Sequence, residues 1–158
     1  MFKIHLLALN QFASKIYYTN ATFYNKVLKG HNGRLFVQFR LGLSPLQSQL
    51  FTYNISENPF CPSCGDYPET LSHYLFDCHV YSTQRALLLK ELNDLSNAVN
   101  TYFHVALDIT DFNTNIDLLT HGIIIPGADC EVQFNVNLSL FNIFSKYVSS
   151  TNRFSYGF

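Results

Sequence analysis

The sequence predicts a mainly α-helical fold, a small helical domain built around a short cysteine–histidine knuckle. Three observations predict it. Apolar residues recur at three- and four-residue spacings along much of the chain, as they do on the buried face of a helix. The 158 residues are 47% hydrophobic, which is enough for a packed core. Three of the four cysteines and one histidine follow the pattern C-x2-C-x8-H-x4-C.

The knuckle consists of Cys61, Cys64, His73 and Cys78. Three thiolates and an imidazole in this order are typical of one tetrahedral Zn²⁺ in a closed, structural site. Gly65 tolerates the positive φ that aims backbone N–H groups at a thiolate. The sequence therefore predicts Zn²⁺ as the cofactor.

Three other interpretations of the knuckle stay open. A disulfide with spare thiols requires an oxidising compartment. A redox C-x-x-C should open a helix within a βαβ unit, whereas here Pro59 and Pro62 flank the pair and no βαβ pattern follows. The third is a chance spacing. His79 is the substitute ligand should Cys78 fail to reach the ion.

The elements before the knuckle are predicted from apolar spacing and turn residues. Residues 2–29 are expected to form one helix, broken near residues 19–20. Gly30 and Gly33 bracket a turn, and a short helix follows that ends at Gly42. Another begins with Ser44 as N-cap and Pro45 at its first position.

The helix after the knuckle sets a geometric condition on the metal site. We expect it to begin near Asp66, with Glu69 completing a capping box. In an unbroken α-helix, His73 and Cys78 would lie about 140° apart, because five residues advance about 500°. The helix must therefore tighten or end near Cys78 for both side chains to reach one ion.

The second half of the chain is predicted to be helical as well. Residues 80–99 give the clearest helical pattern, residues 116–119 a short helix, and residues 122–127 a loop. Residues 131–140 alternate as a strand does, yet residues 136–148 carry a helical stripe; length and the lack of a partner strand favour helix. The tail after residue 151 is expected to fray, unless its aromatic residues dock on the core.

Charge divides the chain unevenly. Residues 1–56 form a basic segment with six Lys or Arg and no acid, and the remainder has four against eleven acids. Such asymmetry is typical of a nucleic-acid-facing end, with Lys26 and Lys29 as candidate contacts, and equally of a basic helix packed on acidic neighbours. We predict one domain overall, with a knuckle region at 57–100 and a C-terminal helical segment at 101–158.

The sequence argues against an enzyme. Four protein ligands close a zinc site, whereas a catalytic zinc keeps an open position. No glycine-rich phosphate loop or nucleophile arrangement is visible, and Cys130 is interpreted as a buried free thiol. No apolar run is long enough to span a membrane, and the N-terminus is a poor signal peptide. We therefore expect an intracellular protein, nuclear or cytoplasmic, with neither a membrane partner nor a small-molecule substrate.

Residues flanking the knuckle resemble a known family. They are Arg40-Leu41-Gly42, Leu46, Leu50, Pro62, Gly65, Glu69-Thr70, Tyr81 and Arg85, followed by Leu118-Leu119, Gly122, Phe144, Tyr147-Val148 and Thr151-Asn152-Arg153-Phe154. Together with the ligand pattern, over residues 34–154, they are similar to the zinc-binding region downstream of the polymerase in non-LTR (LINE-type) retrotransposon reverse transcriptases.

The resemblance implies that the four knuckle residues are zinc ligands and that Arg34 and Arg40 contact RNA or DNA. Two departures weaken it: His79 stands where the family usually has proline, and the chain has no room for a polymerase. We therefore expect a detached C-terminal piece, a zinc-stabilised nucleic-acid-binding module without polymerase activity. The alternative is a structural or protein-interaction module. Four aromatic residues, Phe36, Phe39, Phe51 and Tyr53, are interpreted as core, with base stacking as the alternative.

Overall fold

The computed structural model describes residues 29–155, and the fold is mainly α, as predicted. The helix predicted over residues 2–29 lies outside the described residues except for residue 29, and the candidate contact Lys26 lies outside them as well. The helices are α1 (His31–Arg40), α2 (Gln47–Thr52), α3 (Ser82–Phe103), α4 (Phe112–His121) and α5 (Cys130–Thr151). A π-helical turn (His73–Asp77) and a 3₁₀ turn (His79–Tyr81) connect the knuckle to α3. Between residues 29 and 155 the β-structure is one isolated bridge, Phe60 to Pro68.

Helix α5 is the centre of the fold, because α1, α3 and α4 all pack against it. Its buried residues follow the spacing of a helical stripe: Leu140, Ile143, Phe144, Tyr147 and Val148. Helix α3 faces it with Leu88, Leu92, Ser96 and Val99. Helix α1 packs on this stripe through edge-to-face aromatic contacts. The ring centroids of Phe36 and Phe39 lie 5.7 Å and 5.3 Å from that of Phe144.

The helical prediction for residues 136–148 is confirmed, and the strand alternative for residues 131–140 is wrong. Two of the polar residues that produced the alternation, Gln133 and Asn137, share one face of α5 at i and i+4. Their side-chain oxygens accept hydrogen bonds from the backbone N–H groups of Ile125 and Ile123, each at 2.8 Å. These residues are polar because they hold the loop before α5, and not because they face water from a sheet.

Several predicted boundaries in the first half need correction. Gly33 lies inside α1, so the turn is confined to the residues before His31. Helix α2 begins two residues later than predicted, at Gln47, and its N-cap is Leu46 and not Ser44. Gly42 does follow the end of α1, with a φ of 67°. None of the helices in residues 29–155 combines the length and apolar character that a membrane crossing requires.

The C-terminal tail docks on the core within the described residues. Helix α5 stops at Asn152, which adopts a left-handed conformation with a φ of 51°. Phe154 is buried, and its ring lies 5.4 Å from that of Tyr74 and 5.9 Å from that of Phe39. The docked tail therefore touches the residue that follows the predicted ligand His73.

Candidate metal centre

The first two predicted ligands, Cys61 and Cys64, lie on a narrow loop closed by backbone hydrogen bonds. The N–H of Cys61 donates to the carbonyl of Tyr67, and the N–H of Glu69 donates to that of Pro59, both at 2.8 Å. The turn itself closes through the N–H of Gly65 and the carbonyl of Cys61, and Gly65 has the positive φ that the sequence predicted, 77°. A residue with a side chain would be strained in this conformation. The loop therefore holds Cys61 and Cys64 on the same side of a tight turn.

A π-helical turn carries the other two predicted ligands, His73 at its start and Cys78 directly after its end. The N–H of Cys78 donates to the carbonyl of His73 at 2.8 Å, an i to i+5 bond that closes a wider turn than an α-helix does. Five residues then make roughly one turn, which brings His73 and Cys78 to the same side. Of the two predicted ways to meet the condition, the helix follows the second: it widens instead of tightening and then ends. It does end at Cys78, whose backbone is extended.

The start of this helix also differs from the prediction. The hydroxyl of Thr70 accepts a hydrogen bond from the N–H of His73 at 3.0 Å, so Thr70 and not Asp66 caps the turn. Glu69 is fully buried and belongs to an ion pair, so the capping box predicted for it is wrong. The cap fixes the backbone of His73 directly.

The four predicted ligand atoms converge. They all lie within 4.8 Å of one another, with 4.0 Å between the sulfurs of Cys61 and Cys78 and 3.3 Å between the sulfur of Cys64 and Nε2 of His73. Tetrahedral bonds of about 2.3 Å to sulfur and about 2.0 Å to nitrogen imply S···S and S···N separations of roughly 3.8 Å and 3.5 Å. The cluster can hold one metal ion with small side-chain adjustments.

Burial and hydrogen bonding shift the pKa values of Cys64 and Cys78 in opposite directions. Burial by itself would raise the pKa of Cys64, but hydrogen bonds from the backbone of Asp66 and Tyr67 and from the thiols of Cys61 and Cys78 outweigh it and lower that pKa. Burial raises the pKa of Cys78 to about 11. Because a metal binds the thiolate, occupation of the site would have to displace a proton from Cys78.

Core residues brace the π-helical turn from behind. The guanidinium of Arg85 donates to the carbonyl of Leu75 at 3.2 Å and to that of Cys78. The hydroxyl of Tyr147 on α5 donates to the carbonyl of Tyr74 at 2.5 Å. These bonds tie the backbone of the turn that carries His73 and Cys78 to α3 and α5.

A buried ion pair, which the sequence analysis missed, lies beside the first ligand. Arg153 donates to both carboxylate oxygens of Glu69, through Nε at 2.6 Å and Nη2 at 2.7 Å. The carboxylate is 4.0 Å from the sulfur of Cys61 and also accepts from the N–H of Gln47. A sequence separation of 84 residues gives no local signal, although Glu69 and Arg153 both belong to the motif of the family resemblance.

The other interpretations of the knuckle gain no support from the geometry. All four cysteines are free. His79 lies outside the cluster and is exposed, with Nδ1 3.9 Å from a carboxylate oxygen of Asp66. Cys130, predicted to be a buried thiol, is exposed at the first position of α5. A helix N-terminus at the surface explains this, since its first turn precedes the buried stripe.

The candidate nucleic-acid contacts are only partly accessible. Lys29 and Arg34 are exposed, whereas Arg40 is half-buried and engaged in an interaction. The core interpretation of the aromatic residues is confirmed for Phe36 and Phe39, which are buried. It is wrong for Phe51 and Tyr53, since α2 has no buried residue and these side chains are 47% and 51% exposed.

Comparison with known proteins identifies no relative: no family model, curated protein or solved structure matches the chain.

Proposed function

We propose that the chain is a zinc-stabilised module that binds single-stranded nucleic acid, with the metal in a purely structural role. The observation that carries the proposal is the closed set of three cysteines and one histidine, of which Cys61, Cys78 and His73 are buried. Thiolate-rich tetrahedral sets select zinc among the common divalent ions. When bound, zinc would contribute to the folding free energy of a loop region that has little core of its own.

The basic helix α1 packs beside the metal centre, which supports a role in binding phosphates. Phe39 of α1 stacks on Tyr74 at 6.1 Å, and Tyr74 directly follows the ligand His73. The opposite face of α1 exposes Arg34, and Lys29 precedes the helix. Exposed Phe51 and Tyr53 on and after α2 offer rings on which unpaired bases can stack.

The same ligand set argues for a non-enzymatic module. A catalytic zinc needs a coordination position open to water or substrate and a general base beside it. Four protein ligands leave no such position. We therefore propose a module without polymerase activity that resembles the tail of a LINE-type reverse transcriptase. We also propose that it is intracellular.

Titration of the zinc-loaded protein with labelled single-stranded RNA and DNA, at several salt concentrations, tests this function. Binding should weaken with salt, by a slope of about −0.7 per phosphate contact on a log–log plot. Arg34→Gln should reduce that slope by about 0.7. The matched control is Lys90→Gln, which removes one exposed charge from α3 and should leave the slope unchanged. No binding at low salt, with zinc bound, would reject a nucleic-acid role.

A protein-interaction module is the second candidate, and two observations favour it. Residues 41–67 expose a series of large apolar side chains: Leu41, Leu43, Phe51, Tyr53, Ile55, Phe60 and Tyr67. Exposed apolar side chains are typical of contacts with another protein where they form one contiguous patch. Residues 29–155 also carry eleven acids against seven Lys or Arg, which opposes binding of a polyanion. This candidate gains if the zinc-loaded protein fails to bind RNA and DNA.

A further inference from the structure

We propose that Arg153 is a positioning residue of the metal centre, which acts through Glu69 on the ligand Cys61. The inference rests on metal binding by the knuckle, as proposed above, and assigns to the C-terminal tail a role in that site. It is drawn from three contacts: the forked ion pair, the approach of its carboxylate to a ligand sulfur, and the docking of the tail.

The ion pair sits in a place where an unpaired charge would be costly. Glu69 is fully buried, and the side chain of Arg153 is only 12% exposed. The guanidinium meets both carboxylate oxygens, a forked geometry that Lys cannot reproduce. The central carbon of the guanidinium lies over the ring of Phe154, 5.0 Å from the centroid. Arg153 is thus fixed on both sides.

The carboxylate faces a ligand that changes charge when metal binds. The thiol of Cys61 approaches a Glu69 oxygen at 4.0 Å and can donate to it. Metal binding replaces this thiol by a thiolate, and three thiolates with one divalent ion leave a net negative centre. A bare carboxylate at this distance in a buried site would oppose that change. Arg153 neutralises the carboxylate and so allows Glu69 to stay beside the ligand.

Glu69 in turn holds the ligand loop. Its carboxylate accepts from the N–H of Gln47 at 2.8 Å, and its own N–H donates to the carbonyl of Pro59 across the loop. The ion pair therefore joins the loop that carries Cys61, the start of α2 and the end of α5. Groups that orient metal ligands from outside the coordination sphere typically change metal affinity by about 10–100-fold when they are mutated.

The sign of the effect separates this role from a merely structural ion pair. Zn²⁺ affinity, measured on the full chain by competition with a chromophoric chelator, should fall about 10–100-fold in Arg153→Gln. It should not fall in Glu69→Gln or in the double variant, for two reasons. The glutamine amide oxygen can still accept from the N–H of Gln47 and so hold the loop, and neither variant leaves a bare carboxylate beside Cys61. Leu140→Ala is the matched reference, since it weakens the core of α5 without touching the ion pair and reports the effect of lost stability alone.

Each outcome decides the proposal. It stands if Arg153→Gln binds Zn²⁺ more weakly than Leu140→Ala while Glu69→Gln and the double variant bind at least as tightly as that reference. It is overturned if Arg153→Gln matches the reference, or if Glu69→Gln falls below it. Should Arg153→Gln not fold, the comparison of Glu69→Gln and the double variant with the reference decides alone. A wild-type chain that binds no Zn²⁺ rejects the zinc site itself, which is a distinguishable result.

Discussion

The hydroxyl of Tyr147 provides a direct test of how the ligand-bearing turn is held. Tyr147 is 2% exposed, and its hydroxyl donates to the carbonyl of Tyr74 at 2.5 Å and approaches that of Leu75 at 3.4 Å. Tyr147→Phe removes only this oxygen and keeps the ring contact with Tyr74, whose centroid is 5.3 Å away. The carbonyl of Leu75 still accepts from Arg85 at 3.2 Å, so one buried acceptor loses the Tyr147 hydroxyl.

Loss of one partner of a buried hydrogen bond costs about 1–3 kcal/mol, so the free energy of unfolding of the zinc-loaded protein should fall by that amount in Tyr147→Phe. Denaturant titration measures it. Tyr102→Phe is the matched control, because Tyr102 is 77% exposed and its change should stay within about 0.5 kcal/mol. A Tyr147→Phe variant as stable as this control would refute the idea that α5 braces the turn through this hydroxyl.

Three further predictions concern the ligands, the core and a helix cap. Cys78→Ser should abolish stoichiometric zinc binding while Cys130→Ser, at an exposed cysteine, should leave the metal content of the purified protein unchanged. Leu119→Ala should lower the free energy of unfolding, measured by denaturant titration, by about 2–5 kcal/mol because Leu119 is fully buried. The control Leu87→Ala, at a site that is 61% exposed, should change it by less than about 0.5 kcal/mol. The carboxylate of Asp129 accepts a hydrogen bond from the third N–H of α5, so Asp129→Ala should lower the free energy of unfolding by about 0.5–2 kcal/mol. Asp129→Asn should retain most of that stability, because an asparagine side chain can also cap a helix. Equal losses in both variants would contradict the capping role.

The sequence predicted the cluster of three cysteines and one histidine because the spacing of these residues constrains the local chain. Cys61 and Cys64 share one turn, and a metal-ligand pattern with a glycine after it needs no tertiary information. The condition on His73 and Cys78 was also derivable, since it follows from α-helical geometry. The way in which the chain meets this condition could not be derived. An α-helix, a 3₁₀ ending and a π-helical turn differ in their hydrogen bonds, and the residues of this turn do not specify which of them forms.

The interpretations that failed depended on contacts distant in sequence. Glu69 was interpreted as a capping residue because Asp66 stands three residues before it, yet its partner is Arg153 at the other end of the chain. The strand-like alternation around Gln133 and Asn137 also comes from contacts, since both side chains bind the loop before α5, although the length of the segment correctly favours a helix. Local patterns therefore predicted the helices and the ligands, whereas the bracing of the site required the tertiary fold.

The central claim is that Cys61, Cys64, His73 and Cys78 surround one zinc ion. X-ray absorption at the zinc edge of the purified protein measures the ligand shell most directly. We predict three sulfur atoms at about 2.3 Å and one nitrogen at about 2.0 Å, with one zinc per chain. A shell dominated by oxygen, or a zinc content far below one per chain, would contradict the claim.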